Sequence, residues 1–409
     1  MDSVVERCAG LDVHQASITA CVRFPKEGGG RGQEIQTFRT TTAGLITLRD
    51  WLASYKVTLV GMESTGVYWR APFYMLEDAF EVWLLNAQHL HNVPGRKTDV
   101  ADSAWICQLV EHGLVRPSFV PPKPIRELRD LTRYRKALIE ERGREVQRLH
   151  KVLEDAGIKL ASVASEVLGV SGRLMMEALV AGTRDPEVLA ELAKGRLRAK
   201  LPALREALEG RFQGYHRVLI GELLAHVDYL DEAIERLNGE VDRVIYPFVK
   251  EVELLSTIPG IKKRTAEVLL AEIGPDMTRF ATAAHLSSWA GLCPGNNESA
   301  GKHFSARTRK GSKWLRKGLV EAARAATRSK DNYLAAQYAR LKGRRGDGKA
   351  VVAVAHSMLV IAYHVLLRQE PYRDLGANYF LDRNSDAHKS RLVRQLEHLG
   401  YQVTLTGAA

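Results

Sequence analysis

The first 117 residues alternate between strand and helix patterns, and this order constrains the fold more than any other feature of the chain. Three strands come first, and the patterns predict them at residues 7–13, 17–23 and 33–40. A helix, a strand, a helix, a short strand and a last helix are then predicted at residues 42–55, 57–62, 68–79, 81–85 and 98–111. This is the element order of a ribonuclease-H-like α/β fold.

The same order predicts that four carboxylates converge. Asp12 lies within the first strand, Glu63 follows the fourth, and Asp99 and Asp102 stand three residues apart on one face of the last helix. Four carboxylates at one point repel each other unless a cation lies among them. Mg²⁺ prefers oxygen ligands, needs few carboxylates and leaves room for a substrate phosphate. The sequence therefore predicts a magnesium site for phosphodiester chemistry, with these four acids as ligands.

An actin-like ATPase or a sugar kinase also carries an acid on its first strand. Such proteins need a glycine-rich phosphate loop directly after that acid, whereas this chain continues His14-Gln15-Ala16. The sequence also lacks a G-x-x-x-x-G-K-[ST] motif. Chemistry driven by a nucleoside triphosphate is therefore disfavoured.

The charge of the chain favours a polyanionic partner. There are 59 Lys and Arg residues against 48 Asp and Glu residues, a net charge of +11. A solvated basic surface is the simpler interpretation, but a surplus of this size commonly serves nucleic acid. The cysteines form no C-x-x-C pair, which argues against a disulfide framework or a zinc site and predicts a reducing cytoplasm.

Neither the N-terminus nor the apolar segment 350–367 has the sequence pattern of a targeting or membrane-spanning segment. The N-terminus carries acids and Arg7 before its first apolar run, which is not the pattern of a signal peptide. Residues 350–367 are largely apolar but include His356 and His364 and follow a basic loop. A buried core helix is favoured there over a membrane span, and no membrane partner is expected.

Prolines at 117, 121, 122 and 124 predict a domain boundary, after which long helices dominate. Leucines and valines recur at heptad-compatible positions in two segments: Leu128, Leu131, Leu138, Leu149 and Val152, then Leu223, Leu230, Leu237 and Val244. Arg135, Arg142 and Glu145 interrupt the first series. The pattern fits coiled-coil or helical-hairpin arms that pair protomers or span a long ligand, and it fits an intrachain bundle equally well. The predicted domains are 1–120, a helical coiled-coil region 125–250, a mainly helical domain 251–370 and a tail 371–409.

The segment from Ile258 to about residue 317 has the features of a nucleic-acid surface. Ile258-Pro259-Gly260-Ile261 fits the turn of a helix-hairpin-helix, in which backbone N–H groups near Gly260 meet a phosphate, although a plain helical turn competes. A dense set of cations follows, predicted to contact phosphates: Lys302, Arg307, Arg309, Lys310, Lys313, Arg316 and Lys317. Ser312 is predicted to cap a helix, and Trp314 is a core residue or, less favoured, a base-stacking residue.

These motifs resemble those of the DEDD transposases of the insertion-sequence one-ten family, which are bridge-RNA-guided recombinases. The resemblance covers most of the chain. Its motifs are Gly10-Leu11-Asp12-Val13-His14, Glu63-Ser64-Thr65-Gly66, Lys97-Thr98-Asp99-Val100-Ala101-Asp102, Ser256-Thr257-Ile258-Pro259-Gly260-Ile261, Trp289-Ala290-Gly291-Leu292-Cys293-Pro294-Gly295 and Asn297-Glu298-Ser299-Ala300-Gly301.

The resemblance implies an N-terminal RuvC-like domain in which Asp12, Glu63, Asp99 and Asp102 bind metal. It also implies a C-terminal transposase domain whose nucleophile is Ser299. From the residues alone, Ser299 reads as a turn residue, with Ser288, Ser305 and Ser312 as nearby rivals. The resemblance further implies donor and target DNA, a structured guide RNA, and assembly of several protomers as a dimer or tetramer.

The function predicted from the sequence is an insertion-sequence recombinase of the bacterial or archaeal cytoplasm. It would cut and rejoin DNA strands through a covalent phosphoserine at Ser299, assisted by Mg²⁺. Two alternatives stay open. A metal-dependent junction nuclease would use the same acids with water as nucleophile, and a scaffold with a decayed nuclease fold would bind nucleic acid without cutting it.

Overall fold

The computed structural model describes residues 4–64, 66–86, 102–294, 297–299, 302–305, 308, 310–383 and 385–405. The chain divides into two compact units, Met1–Val120 and Pro121–Ala409. The first is a mixed α/β unit, and the second is mainly helical.

Five strands form the sheet of the first unit. They are β1 Cys8–Val13, β2 Ser17–Pro25, β3 Arg31–Arg39, β4 Leu59–Glu63 and β5 Glu81–Leu85. Their order is β3-β2-β1-β4-β5, with β1, β2 and β3 antiparallel and β4 and β5 parallel to β1. The five predicted strands are all present, and their ends differ from the prediction by at most two residues.

Helices cover both faces of this sheet. Helices α1 Thr42–Ser54 and α2 Arg70–Leu76 share one core with the face that carries Leu11, Ile18 and Met62. Helix α3 Asp102–Glu111 shares a second core with the opposite face. The predicted start of α3 at residue 98, including the proposed cap Thr98, lies outside the described residues.

Three of the cysteines that are scattered in the sequence lie together where α3 packs against the sheet. Cys8, Cys21 and Cys107 are fully buried, and the Sγ atoms of Cys8 and Cys107 are 3.7 Å apart. Hydrogen bonds to Cys21 and Cys8, together with burial, raise the pKa of the Cys107 thiol. This thiol therefore stays protonated and packs as a small apolar group rather than acting as a nucleophile.

Two long antiparallel helices, α4 Lys123–Asp155 and α9 Gly214–Ile245, organise the start of the second unit. They pack against each other within one chain, with Leu138, Leu230 and Ala233 between them. The segment that connects them folds into α5 Leu160–Val163, α6 Val170–Ala181, α7 Pro186–Glu191, the 3-10 helix Gly195–Lys200 and α8 Leu201–Leu208.

Two of the charged residues that interrupt the heptad pattern of α4 are buried, and all three form ion pairs. Arg135 is 3% exposed, and its guanidinium Nη1 lies 2.7 Å from Oε2 of the fully buried Glu267. Glu145 is 2% exposed and lies 3.5 Å from His226 of α9, while Arg142 pairs with Asp231 of the same helix. These positions therefore hold paired charges where a coiled-coil seam would hold apolar side chains.

Six further helices follow α9 in the described part of the second unit, before its tail. They are α10 Val249–Ser256, α11 Lys263–Ile273, α12 Ala283–Trp289, α13 Lys313–Ala326, α14 Tyr333–Arg345 and α15 Asp347–Arg368, with 3-10 helices at Tyr246–Phe248 and Met277–Arg279. A short hairpin, β6 Asn297–Ser299 and β7 Lys302–Ser305, precedes α13.

Helix α15 is long and apolar enough to cross a membrane by length and composition alone. It contacts α10, α12, α13 and α14, and Val354, Met358 and Leu359 are fully buried. It is thus a core helix of the second unit. The tail contains α16 Tyr379–Asp382 and α17 Ser385–His398.

Candidate functional site

Asp12 and Glu63 lie on neighbouring parallel strands at the carboxyl edge of the sheet. Strands β1 and β4 pair in parallel with Leu11 opposite Met62, so Asp12 and Glu63 occupy the next position of the same register. Because side chains alternate along a strand, Asp12 shares the face of Gly10, and Glu63 shares the face of Gly61. Both carboxylates are partly buried.

Helix α3 covers this same face, and two glycines let it approach closely. A Cβ at Gly10 would lie 2.3 Å from the carbonyl oxygen of Ser103 and 2.4 Å from the amide nitrogen of Cys107. A Cβ at Gly61 would lie 2.5 Å from Cγ2 of Val110. Helix α3 therefore packs directly on the strands that carry the two acids.

The direction of α3 brings its first residue, Asp102, toward these acids. Cys107 lies beside Cys8 at the start of β1, and Ser103 lies beside Gly10 further along the strand. The helix thus runs antiparallel to β1, and its N-terminus points to the edge where Asp12 lies. The partial positive charge of a helix N-terminus favours carboxylates at this end.

The donor chemistry of this edge suits a hard divalent cation. Asp12, Glu63 and Asp102 offer only carboxylate oxygens, which are the ligands that Mg²⁺ prefers. Within residues 4–64, 66–86 and 102–120, no three His, Cys, Asp or Glu side chains lie close enough together to hold a metal. The fourth predicted ligand, Asp99, lies outside the described residues.

His14 is a neighbour of the acids that sequence reasoning did not single out. Its Nε2 lies 3.0 Å from Oδ2 of Asp12, and the imidazole is 64% exposed. The signal in the sequence is the spacing of two residues, which places both side chains on one side of an extended chain. His14 is therefore an exposed hydrogen-bond partner of the Asp12 carboxylate.

Ser299 lies on a hairpin in the second unit. It is the last residue of β6 and pairs with Lys302, the first residue of β7. A further bridge between Pro294 and Thr308 closes the base of the hairpin. The sequence alone predicted a turn at Ser299, and the structure places it in a strand at the edge of the turn.

Contacts on both sides of its base hold this hairpin to helices. A Cβ at Gly311 would lie 2.3 Å from the carbonyl carbon of Ala290, so the returning chain touches the backbone that enters the hairpin. The Arg316 guanidinium donates to the carbonyl oxygen of Gly291 at 3.3 Å and to the hydroxyl of Thr308. Arg316 thereby ties the two ends of the hairpin to α13.

A buried carboxylate connects this base to the long helix α4. Ser312 caps α13 by accepting from the amide of Leu315 at 3.2 Å, as the sequence predicted. The same hydroxyl donates to Oε2 of Glu272 at 2.8 Å, and Glu272 is 1% exposed. Arg133 of α4 donates to both Glu272 oxygens at 2.7 and 2.8 Å. Helices α4, α11 and α13 therefore hold the base of the hairpin in place.

Among the predicted phosphate contacts that the structure describes, Arg316 and Lys317 have partners within the second unit. Lys302, Lys310 and Lys313 are exposed. Lys317 lies 2.5 Å from Oε1 of Glu140, a contact that lowers the pKa of that carboxyl, and Arg316 is held as described above. Arg307 and Arg309 lie outside the described residues.

The indole of Trp314 is half-buried and has the ammonium of Lys313 5.1 Å from its ring centre. It lines a cleft of about 230 Å³ between α4, α9, α11 and α13. The rim of the cleft carries charged side chains that pair with each other, including Lys136 with Glu321 at 3.0 Å. Trp314 is thus neither a fully buried core residue nor a free exposed ring.

Gly260 has a packing role in the turn between α10 and α11. Its φ is +83°, and a Cβ there would lie 2.2 Å from the carbonyl oxygen of Ala322 and 2.7 Å from the amide of Ala326. Only glycine allows this turn to approach α13 so closely. A phosphate contact at Gly260 stays a prediction beside this structural reason.

Comparisons with known proteins agree with this architecture. Residues 9–158 match the IS110 DEDD family model, described as "Transposase", and residues 252–339 match the model "Transposase IS116/IS110/IS902 family". The two matches together span more than half of the chain. A DEDD transposase domain implies a ribonuclease-H-like fold and suggests use of a divalent metal.

Similar proteins of named function point the same way. The transposase for insertion sequence element IS1111A of Coxiella burnetii is 27% identical over 351 residues, 84% of this chain and 86% of that protein. The IS1328 transposase of Yersinia enterocolitica is 27% identical over 286 residues, 68% of this chain and 74% of that protein. The pilin gene-inverting protein of Moraxella bovis is 35% identical over 124 residues, 29% of this chain and 38% of that protein. The chain therefore belongs to the IS110 family of transposases and is a DNA transposase or recombinase.

Proposed function

We propose that this transposase cuts and rejoins DNA strands through a covalent Ser299–DNA intermediate, with Mg²⁺ held by a RuvC-like first unit. The observation that supports the metal part is the position of Asp12 and Glu63 at the same register on neighbouring parallel strands, on the face of the sheet that α3 covers. Asp99 and Asp102 complete the proposed ligand set. Mg²⁺ bound there would stabilise the negative charge that develops on the scissile phosphate.

The chemistry at Ser299 is an exchange of phosphodiester bonds. The serine hydroxyl loses its proton and its oxygen forms a bond to phosphorus, the bond to the leaving oxygen of the DNA strand breaks, and that oxygen takes up a proton. The serine phosphodiester conserves the energy of the broken bond. A hydroxyl of another strand end then attacks the same phosphorus, releases the serine and rejoins the DNA.

The surface around the hairpin supports binding of a phosphate backbone. Lys302, Lys310 and Lys313 are exposed beside Ser299 in the chain, and Arg307 and Arg309 belong to the same segment. Each lysine or arginine that contacts a phosphate releases counterions and adds to the salt dependence of binding. These five residues are the proposed contacts, whereas Arg316 and Lys317 have internal partners.

The partners proposed for this enzyme follow from its family. They are donor DNA, target DNA and a structured guide RNA. The acids and Ser299 belong to different compact units of the chain, which suits an assembly of two or four protomers in which one chain completes the site of another. The enzyme would act on DNA in the cytoplasm of a bacterial or archaeal cell.

Substitution of the acids tests the metal site. Asp12→Asn and Glu63→Gln remove a negative ligand but keep the shape of the side chain, so cleavage should fall by about 10²-fold or more while nucleic-acid binding persists. Glu34→Gln, at an exposed position of β3, is the matched control and should cut normally. EDTA should stop the wild-type reaction.

Full cleavage by Asp12→Asn, or by the wild type in excess EDTA, would contradict the proposed metal site. A scaffold without activity predicts no cleavage by any variant under any metal condition.

A further inference from the structure

A cluster of cations lies at the junction between α14 and α15. It belongs neither to the proposed metal site nor to the Ser299 hairpin. We call this cluster the basic corner, and it consists of Arg324, Lys342, Arg344, Arg345 and Lys349. All five residues are exposed. Lys342, Arg344 and Arg345 occupy the last turn of α14, and Lys349 occupies the first turn of α15.

One acid, Asp347, lies among these cations, and it already has an ion-pair partner within the cluster. Asp347 accepts hydrogen bonds from the hydroxyl of Tyr338 and from Nη2 of Arg324, the latter at 3.1 Å. These hydrogen bonds, reinforced by the positive charge of Lys342, lower the pKa of the Asp347 carboxyl. Arg344, Arg345 and Lys349 form no ion pair with any residue that the structure describes.

The simplest role for cations at this position is to complement the C-terminal end of α14. A helix C-terminus carries only about half a negative charge, which a single cation already balances. Three cations in that last turn, with Lys349 and Arg324 close by, exceed this need and repel one another. Repulsion of this kind is relieved when a polyanion binds across the cluster.

The position of the basic corner relative to the hairpin suggests which polyanion. Lys313 and Arg324 are eleven residues apart on α13, which corresponds to about 17 Å along the helix axis and about 20° around it. They therefore point to the same side. Along the axis of a duplex, a distance of about 17 Å corresponds to about five base pairs.

We infer that the basic corner binds the sugar-phosphate backbone of a nucleic acid that runs along α13 from the Ser299 hairpin. This second contact surface rests on the proposed nucleic-acid chemistry of the hairpin. It lengthens the bound segment by about five base pairs beyond the contacts of Lys313. The shared ligand is a phosphodiester backbone, whether it belongs to DNA or to RNA.

The test compares the salt dependence of binding for two triple variants of the full chain. In the corner variant, Arg344→Gln, Arg345→Gln and Lys349→Gln remove three charges. The control variant, Lys194→Gln, Arg196→Gln and Arg217→Gln, removes the same charge at exposed positions elsewhere in the second unit. Affinities for a duplex DNA and for a structured RNA are measured between about 50 and 200 mM salt, the range over which phosphate contacts are most visible.

The corner variant should lower the log–log salt slope by about 2–3, which is about 0.7–0.9 for each lost contact, and the control should leave it unchanged. Arg344→Lys with Arg345→Lys keeps the charge and should keep the wild-type slope. A change with DNA alone assigns the surface to DNA, and a change with RNA alone assigns it to the guide.

An unchanged slope with both nucleic acids, or an equal drop in the control, overturns the inference. Thermal unfolding of each variant checks that the fold is intact, and a slope lost together with the fold counts against the inference unless the Lys variant restores it. These binding slopes do not depend on Ser299 as nucleophile. A failure of the covalent chemistry is therefore distinguishable from a failure of the basic corner.

Discussion

Gly10 determines how closely α3 approaches the sheet and hence where Asp102 lies. The added methyl group of Gly10→Ala would meet backbone atoms of Ser103 and Cys107, which cannot rotate away. We expect a loss of about 1–3 kcal/mol in the free energy of unfolding, the usual range for overpacking, together with loss of cleavage.

A second glycine provides the control for this prediction. Gly143 is exposed in the middle of α4 with open space at its Cβ position, so Gly143→Ala should stabilise by about 0.5–1 kcal/mol. Urea unfolding measures both changes. Wild-type stability and cleavage in Gly10→Ala would show that α3 does not depend on this close approach.

His356 on α15 gives the stability of the second unit a dependence on pH. Burial lowers the pKa of this imidazole below its ordinary value of 6.5. As the pH falls below about 6.5, the unfolded chain takes up a proton there before the folded chain does, so folding stability falls. Above that pH both states are neutral at His356 and the effect vanishes.

The comparison that isolates this effect is wild type against His356→Gln. The melting temperature of the variant should fall less between about pH 7.5 and pH 5.5 than that of the wild type, because one half-buried proton-binding group is gone. Parallel pH curves for the two proteins would contradict the assignment.

Arg316 holds the base of the Ser299 hairpin, whereas Lys313 is a proposed phosphate contact, and substitutions at these two residues should have different effects. Arg316→Lys keeps a positive charge but loses the planar fork that reaches both Gly291 and Thr308. The hairpin should then be misplaced, with cleavage by saturated complexes reduced by about 10²-fold and the salt slope of binding unchanged.

Lys313→Gln should behave in the opposite way. Lys313 is exposed and contacts no acid among the residues that the structure describes, so its loss should lower the salt slope by about 0.7–0.9 and leave cleavage at saturation intact. If Arg316→Lys changed the slope and not the cleavage, Arg316 would be a phosphate contact rather than part of the base.

Local patterns predicted the elements of the sheet well, because strand and helix periodicities are properties of short segments. The five strands, α1 and the Ser312 cap could all be found this way. The hairpin at Ser299 could not, since Asn297, Glu298 and Ser299 have little preference for strands. Its pairing with β7 depends on the contacts that close its base.

Contacts between distant residues were also beyond the reach of sequence patterns. Arg135 appeared to break a heptad seam, but it pairs with Glu267, more than a hundred residues later. Cys8 and Cys107 appeared unrelated, yet their sulfur atoms are 3.7 Å apart. Asp12 and Glu63 were predicted as neighbours because the strand order itself brings them together.

The two units divide the proposed chemistry between them. The first holds acids at the edge of a sheet, and the second holds Ser299 on a hairpin with exposed cations. The net charge of +11 predicted a polyanionic partner, and the structure distinguishes cations that serve internal ion pairs from those that remain at the surface. The serine is the feature that distinguishes a recombinase from a nuclease that uses water.

The role of Ser299 as nucleophile is tested by a denaturing gel of labelled DNA after reaction with cognate RNA, Mg²⁺ and either wild-type protein or Ser299→Ala. The wild type should give a protein-linked DNA band, and Ser299→Ala should give none and lose several orders of magnitude in rate. Ser305→Ala is the matched control and should still give the band. Cleavage by Ser299→Ala at the normal rate, or a linked band from that variant, would contradict the assignment of Ser299 as the nucleophile.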